Sequence, residues 1–220
     1  KKRSLYGFKP MILTSRWKKH TVKGRRYSSC NTQTTAGFLS ESSRRKKVFM
    51  NPNMTPLPSG YTHVQHTFEP VFDEHSRILI LGSFPSVKSR ENQFYYGHPQ
   101  NRFWKLMAQL LEVPVPQSID EKKTMLLTHG LALWDVIASC DIKGSSDSSI
   151  KNAVPADISR ILKAANIQTI IANGGTAFRL YRRYCEPVTG RPAALCPSTS
   201  PANAAFSLER LSECWSKFII

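Results

Sequence analysis

The run RILILGS, Arg77 to Ser83, narrows the fold more than any other stretch of the chain. Its apolar side chains do not alternate with polar ones, as they would in a strand with one wet face, and a glycine closes it. It is therefore expected to be a strand buried on both faces of a parallel sheet. Three later runs read as strands of the same sheet: LALWDVI (Leu131 to Ile137), IQTIIAN (Ile167 to Asn173) and AALCPS (Ala193 to Ser198). Helical patterns lie between them. In NRFWKLMAQLL (Asn101 to Leu111), Phe103, Met107 and Leu110 share one face with Trp104 beside them, and Pro114 and Pro116 enforce a break. A second helix is capped by Ser118 or Asp120 and ended by Gly130. Others are expected over Pro155 to Ala164, Gly174 to Cys185 and Phe206 to Ile219. Regular structure is expected from about residue 70, and the polar segment ASCDIKGSSDSSI (138–150) is expected to be a loop. Strands alternating with helices imply an α/β fold, a three-layer α/β/α sandwich around a central, mainly parallel four-stranded sheet, as a single domain over residues 61–220.

The formal charge of +16 is unevenly spread: residues 1–50 hold 14 Lys/Arg against the single Glu41, and the remainder holds 17 against 14 Asp/Glu. Residues 1–60 show no sustained hydrophobic period and read as a basic tail. Three readings stay open for it: a targeting segment, in which RRKK would be a nuclear address, a non-specific DNA-binding arm, or upstream sequence joined to a protein that starts at Met50 or Met54. The domain itself can bind a polyanion only through a local patch. No stretch approaches a membrane span, and MIL at 11–13 is too brief for the core of a signal peptide, so the protein is expected to be intracellular, cytoplasmic or nuclear, and not secreted. Cys30, Cys140, Cys185, Cys196 and Cys214 form no C-x-x-C pair, which points to free thiols.

In parallel sheets ligands sit beyond the carboxyl ends of the strands, which here carry GSFPS, ASCD, NGG and CPSTSPAN. These ends lack a dinucleotide fingerprint, a phosphate loop, a G-x-S-x-G elbow and an HExxH pair. The equipment that remains is amides, hydroxyls and aromatics. Phe84, Tyr95, Tyr96 and Phe103 suit stacking on a planar ligand; Asn101 and Asn173 suit reading its edge or holding water. Ser83, Ser86 and Ser198 to Ser200, beside helix N-termini, suit phosphate contact. Such a set fits a nucleobase held out of a duplex.

These residues resemble the uracil-DNA glycosylase superfamily, most specifically its hypoxanthine (deoxyinosine) DNA glycosylase branch. The likeness is carried by GSFPSVKSRENQFYYGHPQNRFW (Gly82 to Trp104), LALWDVIASCDIKGSSDSSI (Leu131 to Ile150), IIANGGTAF (Ile170 to Phe178) and CPSTSPANA (Cys196 to Ala204), over about residues 68–219. The resemblance implies a monofunctional enzyme that flips a deaminated base out of double-stranded DNA and cuts its N-glycosidic bond with water. Neither a metal nor an organic cofactor is implied, and a monomer is expected. The family's usual catalytic Asp or Asn beside the first-motif proline is replaced here by Phe84, and the catalytic role moves to Asn101. Cys196 stands where many relatives carry a histidine.

Under that resemblance Asn101 holds the attacking water; capping of the following helix is the competing role. Gly82, Ser83, Phe84, Pro85, Ser86, Tyr95, Tyr96, His98 and Asn173 are the expected substrate-binding set. Ser89, Gly174, Ser198, Thr199, Ser200, Pro201 and Asn203 are the expected DNA-binding set. Core packing competes for at least one of the two tyrosines, loop fixation for His98 and turn formation for Gly82 and Asn173. Asp135 is expected to support the site from behind by organising Ser145 or the loop around Asp147, and Arg191 lies either on a phosphate or on solvated surface. Mismatch-specific uracil or thymine excision, a non-catalytic nucleic-acid-binding role and hydrolysis of free nucleosides are the competing functions.

Overall fold

A computed structural model describes residues 58–219; residues 1–57 of the basic tail, with Cys30, lie outside the described residues. Strand β1 (Thr62–Gln65) precedes β2 (Ile78–Gly82) and is followed by helices α1 (Val87–Glu91), α2 (Phe103–Leu110) and α3 (Ile119–Thr128). Then come β3 (Leu131–Asp135), β4 (Ile137–Ile142), a single 3-10 turn over Asp147–Ser149, β5 (Lys151–Pro155) and α4 (Ser159–Ala164). The chain continues through β6 (Thr169–Asn173), α5 (Gly175–Tyr184), α6 (Glu186–Thr189), β7 (Ala194–Cys196) and α7 (Leu208–Ile219).

The four expected strands form one parallel sheet in the order β3-β2-β6-β7, with Ile80 facing both Leu133 and Ile171 in register. Strand β2 explains the three layers. Ile80 points into a core with Phe103, Leu106 and Met107 of α2, Leu126 of α3 and Trp215 of α7. Leu79 and Leu81 point into the opposite core with Ile161 of α4 and Tyr181 of α5. Burial of Phe103 or Leu106, both fully inaccessible, contributes roughly 1.5–3 kcal/mol each. Ser118 begins α3 with a complete capping box: its hydroxyl accepts from Glu121 N, and the Glu121 carboxylate accepts from Ser118 N. Gly130, at φ +67°, turns the chain from α3 into β3.

Three expectations need correction. Regular structure starts at Thr62, before residue 70. The polar segment after β3 is not one loop: Ile137–Ile142 is the middle strand of a second, antiparallel sheet, β1-β4-β5, in which Cys140, Asp141 and Ile142 are buried. Register shifts between Ile137, Ser139 and Asp141 break the two-residue alternation that would mark a strand in sequence. The run read as one strand over residues 131–137 thus divides at Val136, where the chain leaves one sheet for the other. Pro155 ends β5 and does not open a helix; α4 starts at Ser159.

Candidate active site at the strand ends

Gly82, Asp135 and Asn173 end three neighbouring strands of the parallel sheet. A Cβ on Gly82 would lie 2.1 Å from Asp135 Oδ1 and 3.4 Å from the Tyr96 hydroxyl. Glycine is therefore required so that the Asp135 carboxylate can fold across the end of β2. The other carboxylate oxygen, Oδ2, accepts a hydrogen bond from His66 Nε2 at 3.0 Å, and both side chains are almost fully buried. The His66 ring packs 4.3 Å from Phe68 and lies near Tyr95 and Phe84. Ser83 donates to Asp147 Oδ2 at 2.7 Å, bringing the 3-10 turn over the end of β2. Burial, with Asp135 nearby, holds the Asp147 carboxyl above the usual aspartate range.

Tyr96 is placed by an unusual backbone, φ +51°, and its ring packs on Phe103 at 4.1 Å. Burial, and then the Asp135 carboxylate, push its phenol well above the ordinary tyrosine value. Tyr95 faces the core, 2% exposed, and donates to the Glu69 carbonyl at 3.0 Å.

At the start of α2, Asn101 Oδ1 accepts from Phe103 N at 3.0 Å, so its carbonyl is committed to holding the first helical turn. Its Nδ2 makes no hydrogen bond among the described residues. His98 fixes the approach: its carbonyl accepts from Asn101 N at 2.9 Å and its Nδ1 from Gln100 N at 3.2 Å.

The loop after β7 is fastened to the same place. Asn173 donates to Thr199 Oγ1 and accepts from Thr199 N, both at 3.0 Å, in a buried reciprocal pair. Gly174, at φ +100°, leaves room for Ser198, whose Cβ would be 2.7 Å from a Cβ there. Asn203 donates to the Ser198 carbonyl at 2.9 Å. Arg102 closes the arrangement, donating to the carbonyls of Ser200 (2.6 Å), Asn203 (3.0 Å) and Phe206. Lysine cannot reproduce this fork. Arg102→Lys is expected to cost about 1–3 kcal/mol and to speed hydrogen exchange at the amides of residues 199–206. Unchanged exchange there would show that the loop does not depend on the guanidinium.

Several expected surface contacts face inward. Ser89 is 2% exposed and accepts from Gly97 N at 3.0 Å, bracing the tyrosine loop instead of offering a hydroxyl to DNA. Thr199 is fully buried. Ser86 caps α1 by accepting from Ser89 N, and Pro85 and Phe84 are buried beneath Arg90, which donates to the Pro85 carbonyl at 2.9 Å. Ser198, Ser200, Pro201 and Asn203 remain partly exposed along the loop. Asp135 pairs with His66 rather than organising Ser145, which instead accepts from Val87 N at 2.8 Å. Arg191 is engaged with the Gln168 carbonyl at 2.9 Å. Cys196 is buried, and burial pushes its thiol up to about 12, so it stands neutral at the end of β7. Sequence reasoning missed His66 and Arg102. For His66 the only local trace is its place in the short polar THVQH run, whereas Arg102 is flanked by two residues already singled out.

Among the described residues no group of three or more His, Cys, Asp or Glu side chains is arranged to hold a metal ion, and no helix is long and apolar enough to cross a membrane.

Fold and geometry together define an α/β protein whose candidate site, at the carboxyl end of a parallel sheet, brings together amides, hydroxyls and one buried His–Asp pair. Residues 69–219 match the uracil DNA glycosylase superfamily. A protein of Methanosarcina acetivorans named hypoxanthine DNA glycosylase is 34% identical over 151 residues, covering 68% of this chain and 95% of the relative. One of the same name from Methanosarcina barkeri is 38% identical over 111 residues, covering 49% of this chain and 69% of the relative. A solution NMR structure described as a candidate uracil DNA glycosylase from Methanosarcina acetivorans superposes with a TM-score of 0.60 at 34% identity, over 69% of this chain and 94% of that one. The chain belongs to the uracil DNA glycosylase superfamily, and glycosylase chemistry is the class of activity that membership carries.

Proposed function

We propose that this protein is a monofunctional DNA glycosylase that removes deaminated bases from double-stranded DNA, hypoxanthine from deoxyinosine foremost. Support for the substrate comes from the two relatives named hypoxanthine DNA glycosylase. The observation that carries the chemistry is the state of Asn101, whose carbonyl is used by Phe103 N while its Nδ2 is left without a partner among the described residues. Water must attack C1′ of the sugar as the bond to the base breaks. An amide N–H can fix the oxygen of that water, but a carbonyl already accepting a hydrogen bond is a weak proton acceptor. The glycosidic bond therefore breaks largely ahead of attack. The electron pair leaves with the base, and once the C1′–O bond has formed the proton shed by the water passes to that departed base, directly or through solvent, so that the base leaves neutral. Orientation of the water is the contribution required of Asn101. Capping and catalysis are then two uses of one side chain.

Ser198, Ser200, Pro201 and Asn203 are assigned to the DNA backbone and groove, on a loop tied by Arg102 to the turn that holds Asn101 just before α2. Gly82, Ser83, Phe84, Tyr96, His98 and Asn173 are assigned to the extruded nucleotide, with Gly174 admitting the loop behind it. The test is release of free base by the whole purified chain from duplexes carrying deoxyinosine, deoxyuridine or a G·T mismatch, with free deoxyinosine as a control. Hypoxanthine is expected to be released fastest and only from DNA. Faster release of uracil or thymine would transfer the assignment to the mismatch-specific reading. Release from the free nucleoside would transfer it to nucleoside hydrolysis, and DNA binding without any release to a non-catalytic role.

A further inference from the structure

Tyr96 holds the one enclosed side-chain polar atom among the described residues that lacks a hydrogen-bond partner. Leaving a buried hydroxyl unpaired costs about 1–3 kcal/mol, and natural folds rarely tolerate it without a use. The backbone is strained to put it there, since φ +51° is unfavourable for a bulky side chain. The strained turn is held from both sides: Gly97 N is fixed by Ser89, and a Cβ on Gly97 would meet the Lys88 carbonyl at 2.9 Å. The hydroxyl lies over Gly82, beside Asp135 and Asn173, at the strand ends where the ligand site is formed.

We propose that the Tyr96 hydroxyl is a specificity determinant, kept unpaired so that its O–H can be donated to the exocyclic carbonyl oxygen that deamination leaves on a base, O6 in hypoxanthine. This deepens the glycosylase reading above and rests on it. The direction of the bond follows from the surroundings. Burial and the neighbouring carboxylates keep the phenol protonated, and the Asn173 amide faces the hydroxyl oxygen without closing a hydrogen bond to it. The hydroxyl therefore has a proton to offer. Adenine presents at the same position an amino group, which cannot accept that proton, whereas its deamination product presents an acceptor. The ring of Tyr96 packs on Phe103, two residues beyond Asn101, which puts base reading and water placement on adjoining parts of one structure.

Tyr96→Phe removes only the oxygen. Single-turnover excision is compared in both proteins on matched duplexes carrying deoxyinosine or deoxynebularine, the purine nucleoside with hydrogen in place of O6. The preference for deoxyinosine over deoxynebularine, measured within each protein, is expected to shrink about tenfold or more in Tyr96→Phe. Over the same substitution the melting temperature is expected to hold or rise, because an unpaired buried hydroxyl has been deleted. A merely structural tyrosine would give the opposite pattern. An undiminished preference, or a clear fall in melting temperature, overturns the inference while leaving the glycosylase reading in place. Wild-type protein that releases no base from any duplex overturns both.

Discussion

Asn101→Ser is expected to remove most base excision while leaving the fold intact. The serine hydroxyl can accept from the N–H two residues on, as Asn101 Oδ1 does from Phe103 N, so the first turn of α2 keeps its partner. The amide that would hold the water is gone. A single-turnover rate on deoxyinosine duplexes is expected to fall roughly 10²–10³-fold, the scale of a lost positioning contact. Asn101→Ala is expected to lose activity to the same extent and about 1 kcal/mol of stability besides. Comparing the urea midpoints and rates of the two variants separates capping from chemistry. A serine variant that turns over at the wild-type rate would leave Asn101 as a cap and nothing more.

The second large effect is expected at Gly82. An added methyl group there has to displace Asp135 Oδ1, 2.1 Å away, and that carboxylate is not free to swing because His66 holds its other oxygen inside the protein. Gly82→Ala is expected to cost about 1–3 kcal/mol, the range for overfilling a packed interior, and to lower excision by disturbing the surroundings of Tyr96. Chemical denaturation checks it. Much of the added cost should vanish when Gly82→Ala is made in an Asp135→Ala background, because the two sites contend for one space. Additive losses from the two substitutions would place the strain elsewhere.

How far the molecule could be read from its residues follows from how local each feature is. Strand β2 declares itself because four consecutive apolar side chains satisfy two cores at once, and β6 does the same with three, Ile170 to Ala172. The second sheet stays hidden because β1 and β5 are short and mostly exposed, and because irregular pairing spoils the alternation of β4. At the site, Asn101 and Tyr96 stood out through a motif. His66 and Arg102 did not, since each acquires its meaning from partners far along the chain, Asp135 for one and the carbonyls of the 200–206 loop for the other. The inward turn of Ser89 and Thr199 was equally illegible: a hydroxyl in a polar loop looks the same whether it meets water or, as here, a backbone N–H for Ser89 and a side-chain amide for Thr199.

Asn101 and Arg102 are consecutive, yet one is assigned to the water and the other grips the loop assigned to the DNA groove. Both immediately precede α2, so a rocking motion of that helix would carry them along as one piece. The spacing between the proposed water site and the loop proposed to meet the groove would thereby be insulated from breathing of the domain, leaving rearrangement within the loop itself as the way to alter the gauge.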